Sequence, residues 1–215
     1  MLKLIKKFKR KYFPSWLDTW PCILNKAKSS NCLQLGSGVN TIIPGCVNVD
    51  INPDTHPDVL FDLNKNIWPF PDSSFDMIVA ISILEHLDDL FVAMSEIHRI
   101  SKPDASVYIL VPHFSSAAAF VDPTHKKMLS ARSLDYLIAG TKIESSYGFY
   151  YPFRFKQIKR YVELAGFWNY FLPARWLGNH KTIFWEEHLC YLIRGSGIYW
   201  ELEVLKPTDT ILEKK

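Results

Sequence analysis

Paired cysteines are absent from this sequence: its four, Cys22, Cys32, Cys46 and Cys190, show neither Cys-x-x-Cys spacing nor regular pairing. A zinc site or a disulfide framework therefore has no support, and a reducing, cytoplasmic setting is expected. No apolar run approaches the roughly 20 residues that a spanning helix needs, which excludes a membrane-embedded chain. No apolar segment follows the basic opening, which excludes a cleavable signal. Charge of one sign is also scarce, because the net excess is only +3 over 215 residues. That excess is gathered in Lys3, Lys6, Lys7, Lys9, Arg10 and Lys11, and the chain beyond them is slightly acidic. No later stretch has the basic density that phosphate backbones require, so nucleic acid is not an expected partner. The length suits one sizeable α/β core rather than two domains.

The opening itself has two readings. On a helix, Leu2, Ile5, Phe8 and Tyr12 share a stripe beside the cations, the pattern of a segment lying on an anionic membrane surface. A solvated helix or frayed tail is the alternative. Residues 1–20 are thus read as a basic N-terminal segment, with peripheral contact through residues 1–12 at the inner membrane face as one option, and 21–215 as a single domain. The oligomeric state is left open.

Short apolar runs follow. Cys32–Leu35 is stopped by Gly36-Ser37-Gly38, and Cys46–Asp50 ends in a carboxylate. With Val59–Asp62, Phe75–Ile81 and Val107–Val111 they read as buried parallel strands. Leu90, Phe91, Met94, Ile97 and Ile100 recur at helical spacing, and Lys102-Pro103-Asp104 stops that helix. Residues 113–152 lack a long period and form a substrate-side insertion. Phe155–Ala165 reads as a helix closed by Gly166. His188–Arg194 and Ile198–Leu205 flank Gly195-Ser196-Gly197 as a hairpin. The expected fold is α/β and Rossmann-like: a doubly wound, mostly parallel sheet of about seven strands with a C-terminal antiparallel hairpin. About eight residues separate Gly38 from Val47, too few for an ordinary parallel crossover, so the first crossover helix is short or missing.

A nucleoside cofactor needs close backbone approach at the end of the first strand and a carboxylate at the end of the second. Gly36 and Gly38 remove Cβ atoms that would block that approach, and Asp50 can accept from both ribose hydroxyls. NAD competes for this pattern, but its fingerprint wants a third glycine and a helix N-terminus for the pyrophosphate, and this loop supplies neither. A cofactor without phosphate fits better.

Leu33-Gln34-Leu35-Gly36-Ser37-Gly38 resembles the first motif of class I S-adenosylmethionine-dependent methyltransferases. Pro44–Ile51, Asp62-Leu63, Trp68-Pro69-Phe70, Asp72–Asp76, Leu84–Leu87, Glu96–Ile100 and Lys102-Pro103 resemble further landmarks of that family in the expected order. The resemblance covers roughly residues 31–112 and is nearest to the type 11-like branch found in bacterial surface-polysaccharide clusters. It departs where Gln34 stands in place of an acid and Asn40 in place of a third small residue. The resemblance implies S-adenosylmethionine as cofactor, faced by Gly36, Ser37 and Gly38. Asp50 with Ile51 would then meet the ribose, Asp62 with Leu63 the adenine, and Ile81 and the turn at Glu85 the methionine side. It also implies methyl transfer to a hydroxyl of a sugar, glycan intermediate or small molecule. N- or C-methylation of a small molecule or lipid quinone, and a cofactor-binding protein without turnover, remain alternatives.

A hydroxyl acceptor calls for a general base. His113 follows the fifth strand directly and is the first choice. His125, oriented by Asp122, is the second, with Lys126 or Arg132 to hold an anionic acceptor. His86 is read as lining the site. His113, Asp122 and His125 match no metal-binding spacing, so no metal is assigned.

Overall fold

A computed structural model describes residues 16–38 and 42–206. The basic stripe of residues 1–12 lies outside them. The elements are α1 (Trp16–Ala27), β1 (Cys32–Leu35), β2 (Cys46–Asp50), β3 (Val59–Leu60), β4 (Phe75–Ile81), α2 (Leu90–Ile100), β5 (Ser101–Pro112), α3 (Ala118–Val121), α4 (Lys142–Tyr147), β6 (Arg154–Leu164), α5 (Leu172–His180), α6 (Thr182–His188) and β7 (Gly195–Leu205). Single 3-10 turns at Pro53–Thr55, Leu84–His86, Gly148–Tyr150 and Gly166–Asn169 punctuate the connections. The boundary expected at residue 20 falls within α1. No helix among the described residues is long and apolar enough to cross a membrane.

Seven strands form one sheet in the order β3-β2-β1-β4-β5-β7-β6. The first five are parallel, and β7 runs antiparallel to both β5 and β6. This is the expected Rossmann-like α/β architecture with its antiparallel end. Alternation along β4 shows how the layers form: Ile78 and Ala80 join the core beneath α2, while Met77 and Val79 join the core beneath α1 with Ile23 and Ala27. The helix expected after Phe75–Ile81 is α2, started by Asp89, whose carboxylate accepts from the amides of Phe91 and Val92 at 2.8 and 3.1 Å. No helix stands between β1 and β2 among the described residues.

Three expectations are corrected. Phe155–Ala165 is the strand β6, not a helix. The ladder to β7 shifts register between Gln157 and Lys159, so Phe155 enters the same core as Val162 and Leu164 despite opposite parity, while Tyr161 enters the other. A shift of this kind breaks the period-two burial that marks a strand, and Ile158, which completes the helical spacing in the sequence, is exposed. The closing antiparallel pair is likewise β6 with β7, connected through α5 and α6, not a hairpin of 188–194 with 198–205; Gly195-Ser196-Gly197 lie inside β7. A Cβ on Gly195 would stand 2.6 Å from Cγ of His113, so this glycine serves a close approach rather than a turn.

The third correction concerns Cys32 and Cys46, which form a disulfide across in-register positions of β1 and β2, their Cα atoms 4.4 Å apart. Strand pairing, invisible in the spacing of the cysteines, brings them together, and the expectation of a reducing compartment loses its support. Alkylation of the unfolded, unreduced protein is expected to label two thiols, Cys22 and Cys190, and four after reduction. Breaking a loop of 14 residues is expected to cost about 3 kcal/mol of stability, read as a lower denaturation midpoint in reductant.

Candidate cofactor and acceptor site

Because β1 to β5 are parallel, their carboxyl ends share one edge of the sheet. The order reverses between β1 and β4, the switch point at which open α/β sheets bind ligands. Gly36 and Gly38, with φ of +60° and +56°, turn the chain out of β1 in the left-handed region that favours glycine. The reason for Gly36 is more specific than expected. A Cβ there would lie 2.7 Å from Cδ1 and Cγ1 of Ile83, so the loop after β1 packs directly on a residue two positions past β4. Ser37 is fully buried and its amide donates to the Val49 carbonyl at 3.1 Å.

Asp50, at the tip of β2, ties two loops together. One carboxylate oxygen accepts from the Gly38 amide at 2.8 Å and the other from the Asn52 amide at 2.9 Å. Each oxygen keeps a second lone pair for a ligand. Ile51 beside it is 65% exposed and offers an apolar surface. Past β3, Asp62 accepts from the Asn64 amide at 3.0 Å in a local turn, and Leu63 is buried in the core with its carbonyl taking the Trp68 indole N–H at 3.2 Å. Ile81 is half-buried at the end of β4.

Beyond Ile83 the single turn Leu84–His86 presents Glu85, which is 2% exposed. Neither of its carboxylate oxygens has a hydrogen-bond partner among the described residues, and burial pushes the group up to about 7. Its backbone carbonyl accepts from the amides of Lys126 and Lys127 at 2.8 and 3.0 Å, which pins the loop 122–127 beside the turn. His125 Nε2 stands 3.9 Å from Glu85 Oε1, and the rings of His86 and His125 meet edge to face at 4.6 Å.

The hydrogen bonds fix the tautomers. His125 Nδ1 lies 3.0 Å from the Ala119 carbonyl, which can only accept, so Nδ1 carries a proton and in the neutral ring the lone pair is on Nε2. Thr124 gives its one hydroxyl proton to Asp122 at 2.6 Å, so it accepts from His86 Nδ1 at 2.9 Å and leaves His86 its Nε2 lone pair. The Thr124 bonds hold the exposed Asp122 carboxyl below its usual range, while burial and the neighbouring His125 hold His86 below the ordinary imidazole value. Asp122, expected to orient His125, instead orients His86 through Thr124. The adjacency Glu85-His86 was the signal in the sequence; the approach of His125 was not legible there.

His113, the first choice for the base, is fully buried. Its Nδ1 accepts from the Ser115 amide at 3.1 Å and its Nε2 donates to Glu186 at 3.1 Å, with Trp185 and Phe114 packed on the ring. Both nitrogens are engaged, and the side chain joins the end of β5 to α6. Lys126 and Arg132, expected to hold an anionic acceptor, are paired instead with Asp88 at 2.7 Å and Asp135 at 3.6 Å. A separate cleft of about 410 Å³, bounded by Arg160, Lys181 and Glu187, shares no residue with the strand tips.

No curated protein matches the chain in sequence. Residues 46–109 match the family model described as a methyltransferase domain. Among solved structures, the chain is similar to a SAM-dependent methyltransferase from Archaeoglobus fulgidus at 20% identity, with a TM-score of 0.58 over 93% of this chain and 99% of that one. A SAM-dependent methyltransferase from Aquifex aeolicus aligns at 13% identity and a TM-score of 0.50, over 93% and 98% of the two chains. The cyclase SpnF aligns at 12% identity and a TM-score of 0.53, over 91% and 84%. The chain thus carries a methyltransferase domain match over residues 46–109, set in a seven-stranded fold that it shares with S-adenosylmethionine-dependent methyltransferases.

Proposed function

We propose that this protein transfers a methyl group from S-adenosylmethionine to a hydroxyl of a sugar, glycan intermediate or small molecule. The cofactor side rests on the strand tips: a left-handed glycine loop, the Asp50 carboxylate with lone pairs to spare, and an exposed Ile51, with no glycine-rich phosphate cradle among the described residues. The single observation that carries the acceptor side is the Glu85–His86–His125 cluster, which follows Ile83 on the β4 side of the switch point. The preference for a glycan rests on the resemblance to methyltransferases of surface-polysaccharide clusters.

When bound, S-adenosylmethionine supplies an electrophilic methyl: the acceptor oxygen forms the new O–C bond, and the C–S electron pair stays on sulfur as a neutral thioether. The tips of β1 and β2 hold the nucleoside, and the cluster past β4 is where the acceptor oxygen loses its proton. Burial of Glu85 and the Nδ1 hydrogen bonds of both histidines hold the cluster in one arrangement, which limits the reorganisation the reaction needs. The cyclase SpnF belongs to the same fold, so the architecture by itself leaves the reaction open.

Titration calorimetry of the full chain is expected to show one site for S-adenosylmethionine and S-adenosylhomocysteine and none for NAD. Labelled methyl is then expected on hydroxylated acceptors. NAD binding in place of S-adenosylmethionine would overturn the cofactor side. Tight S-adenosylmethionine binding with no transfer to hydroxyl, amine or carbon acceptors would identify a binding protein instead.

A further inference from the structure

Glu85, His86 and His125 each offer one ligand atom, and these atoms lie within 4.8 Å of one another. Three features separate this group from an accidental meeting of polar side chains. Glu85 is 2% exposed, yet neither of its oxygens has a hydrogen-bond partner among the described residues, a costly arrangement for a buried carboxylate unless something else binds it. Each histidine has its Nδ1–H held by an acceptor, the Ala119 carbonyl for His125 and the Thr124 hydroxyl, itself bonded to Asp122, for His86. In the neutral rings that outer layer puts both lone pairs on Nε2, the arrangement metal-ligating histidines use, with a carboxylate behind one of them. Finally, the two ligand segments are locked together, because the Glu85 carbonyl takes the amides of Lys126 and Lys127.

We infer that Glu85, His86 and His125 bind a divalent first-row transition metal ion. Two imidazoles and one carboxylate suit zinc, manganese, cobalt or ferrous iron, and three protein ligands leave coordination positions open. An ion holds such ligands at about 2.1 Å, hence roughly 3.4 Å from one another, so the side chains close by about 1 Å on loading. On the methyltransferase reading given above, the open position takes the acceptor oxygen. The ion then lowers the pKa of that hydroxyl, whose proton passes to solvent, and the resulting alkoxide attacks the methyl carbon while the C–S pair stays on sulfur. The cluster thus removes the proton by acidifying the acceptor, with neither histidine taking it up.

The test uses the tag-free full chain, dialysed against chelator and titrated separately with Zn²⁺, Mn²⁺ and Co²⁺, with S-adenosylmethionine affinity measured alongside. One equivalent of at least one ion is expected to bind and to raise the unfolding temperature. His86→Ala, His125→Ala and Glu85→Gln are each expected to weaken that ion by about 10- to 100-fold or more, with S-adenosylmethionine affinity retained in the two histidine variants. In Co²⁺-loaded protein the visible absorption is expected to change in the His86→Ala variant, a readout of ligation that activity does not enter. Absence of binding for all three ions, or binding that survives the His86→Ala/His125→Ala double variant, overturns the inference. Loss of S-adenosylmethionine binding in the parent would instead overturn the proposed function and leave the metal result standing on its own.

Discussion

Asp50→Ala is expected to weaken S-adenosylmethionine binding by about 100-fold or more in calorimetry. A carboxylate that accepts from two ribose hydroxyls makes two charge-assisted hydrogen bonds, each contributing about 1.5–3 kcal/mol. The side chain also holds the Gly38 and Asn52 amides, so its removal frees both loops at the tip. These two effects can be separated. For S-(2′-deoxyadenosyl)homocysteine the parent is expected to lose about tenfold or more relative to S-adenosylhomocysteine, whereas the variant discriminates little, because the group that read the hydroxyl is gone. Asp50→Asn is expected to behave like the alanine variant, since its amide would set a donor against the donor N–H of one loop. Parental affinity in Asp50→Ala would mean that the cofactor sits elsewhere, and the cofactor assignment at the strand tips would fall.

The second large effect is on turnover. His125→Ala is expected to lower kcat by about 100- to 10,000-fold on a hydroxyl acceptor, the range set by losing a member of the cluster that deprotonates it. S-adenosylmethionine affinity is expected to change little, because the ring belongs to the loop 122–127, which bonds the Glu85 turn rather than the tips of β1 and β2. His113→Ala is expected to act on stability. Its ring bonds Ser115 and Glu186 inside the core, and its loss leaves a buried carboxylate without one donor, costing about 1–3 kcal/mol in denaturant unfolding. Near-parental kcat for His125→Ala would point to an amine or carbon acceptor that needs no such group. A large kcat loss for His113→Ala with unchanged stability would return the base to that residue.

The contrast between these two histidines shows where the sequence stops informing. His113 follows a strand and was placed at the carboxyl edge, where it indeed stands. What the sequence did not show is that Glu186 and Trp185, more than seventy residues later, bond its Nε2 and pack against its ring. His125 sits in a polar loop with no period to read, and the amides anchored on the Glu85 carbonyl, with the Thr124 bond to His86, bring it to the cluster.

Strand identity in the first half was legible because it is local. Short apolar runs, a glycine turn and a strand-end acid are written within a few residues, and Phe75–Ile81 and Leu90–Ile100 stand where their patterns put them. The second half was less legible because a bulge in β6 shifts its burial parity, so the periodicity that identifies a strand was not there to find. The sequence alone determined a parallel sheet whose first two tips carry glycine and carboxylate, since backbone freedom and strand burial are properties of neighbouring residues. Tertiary structure alone decided the Cys32–Cys46 bond, the enclosure of His113 and the gathering of Glu85, His86 and His125. Each of these depends on which segments pack side by side, and that is settled by burial of the whole core rather than by any stretch of chain within it.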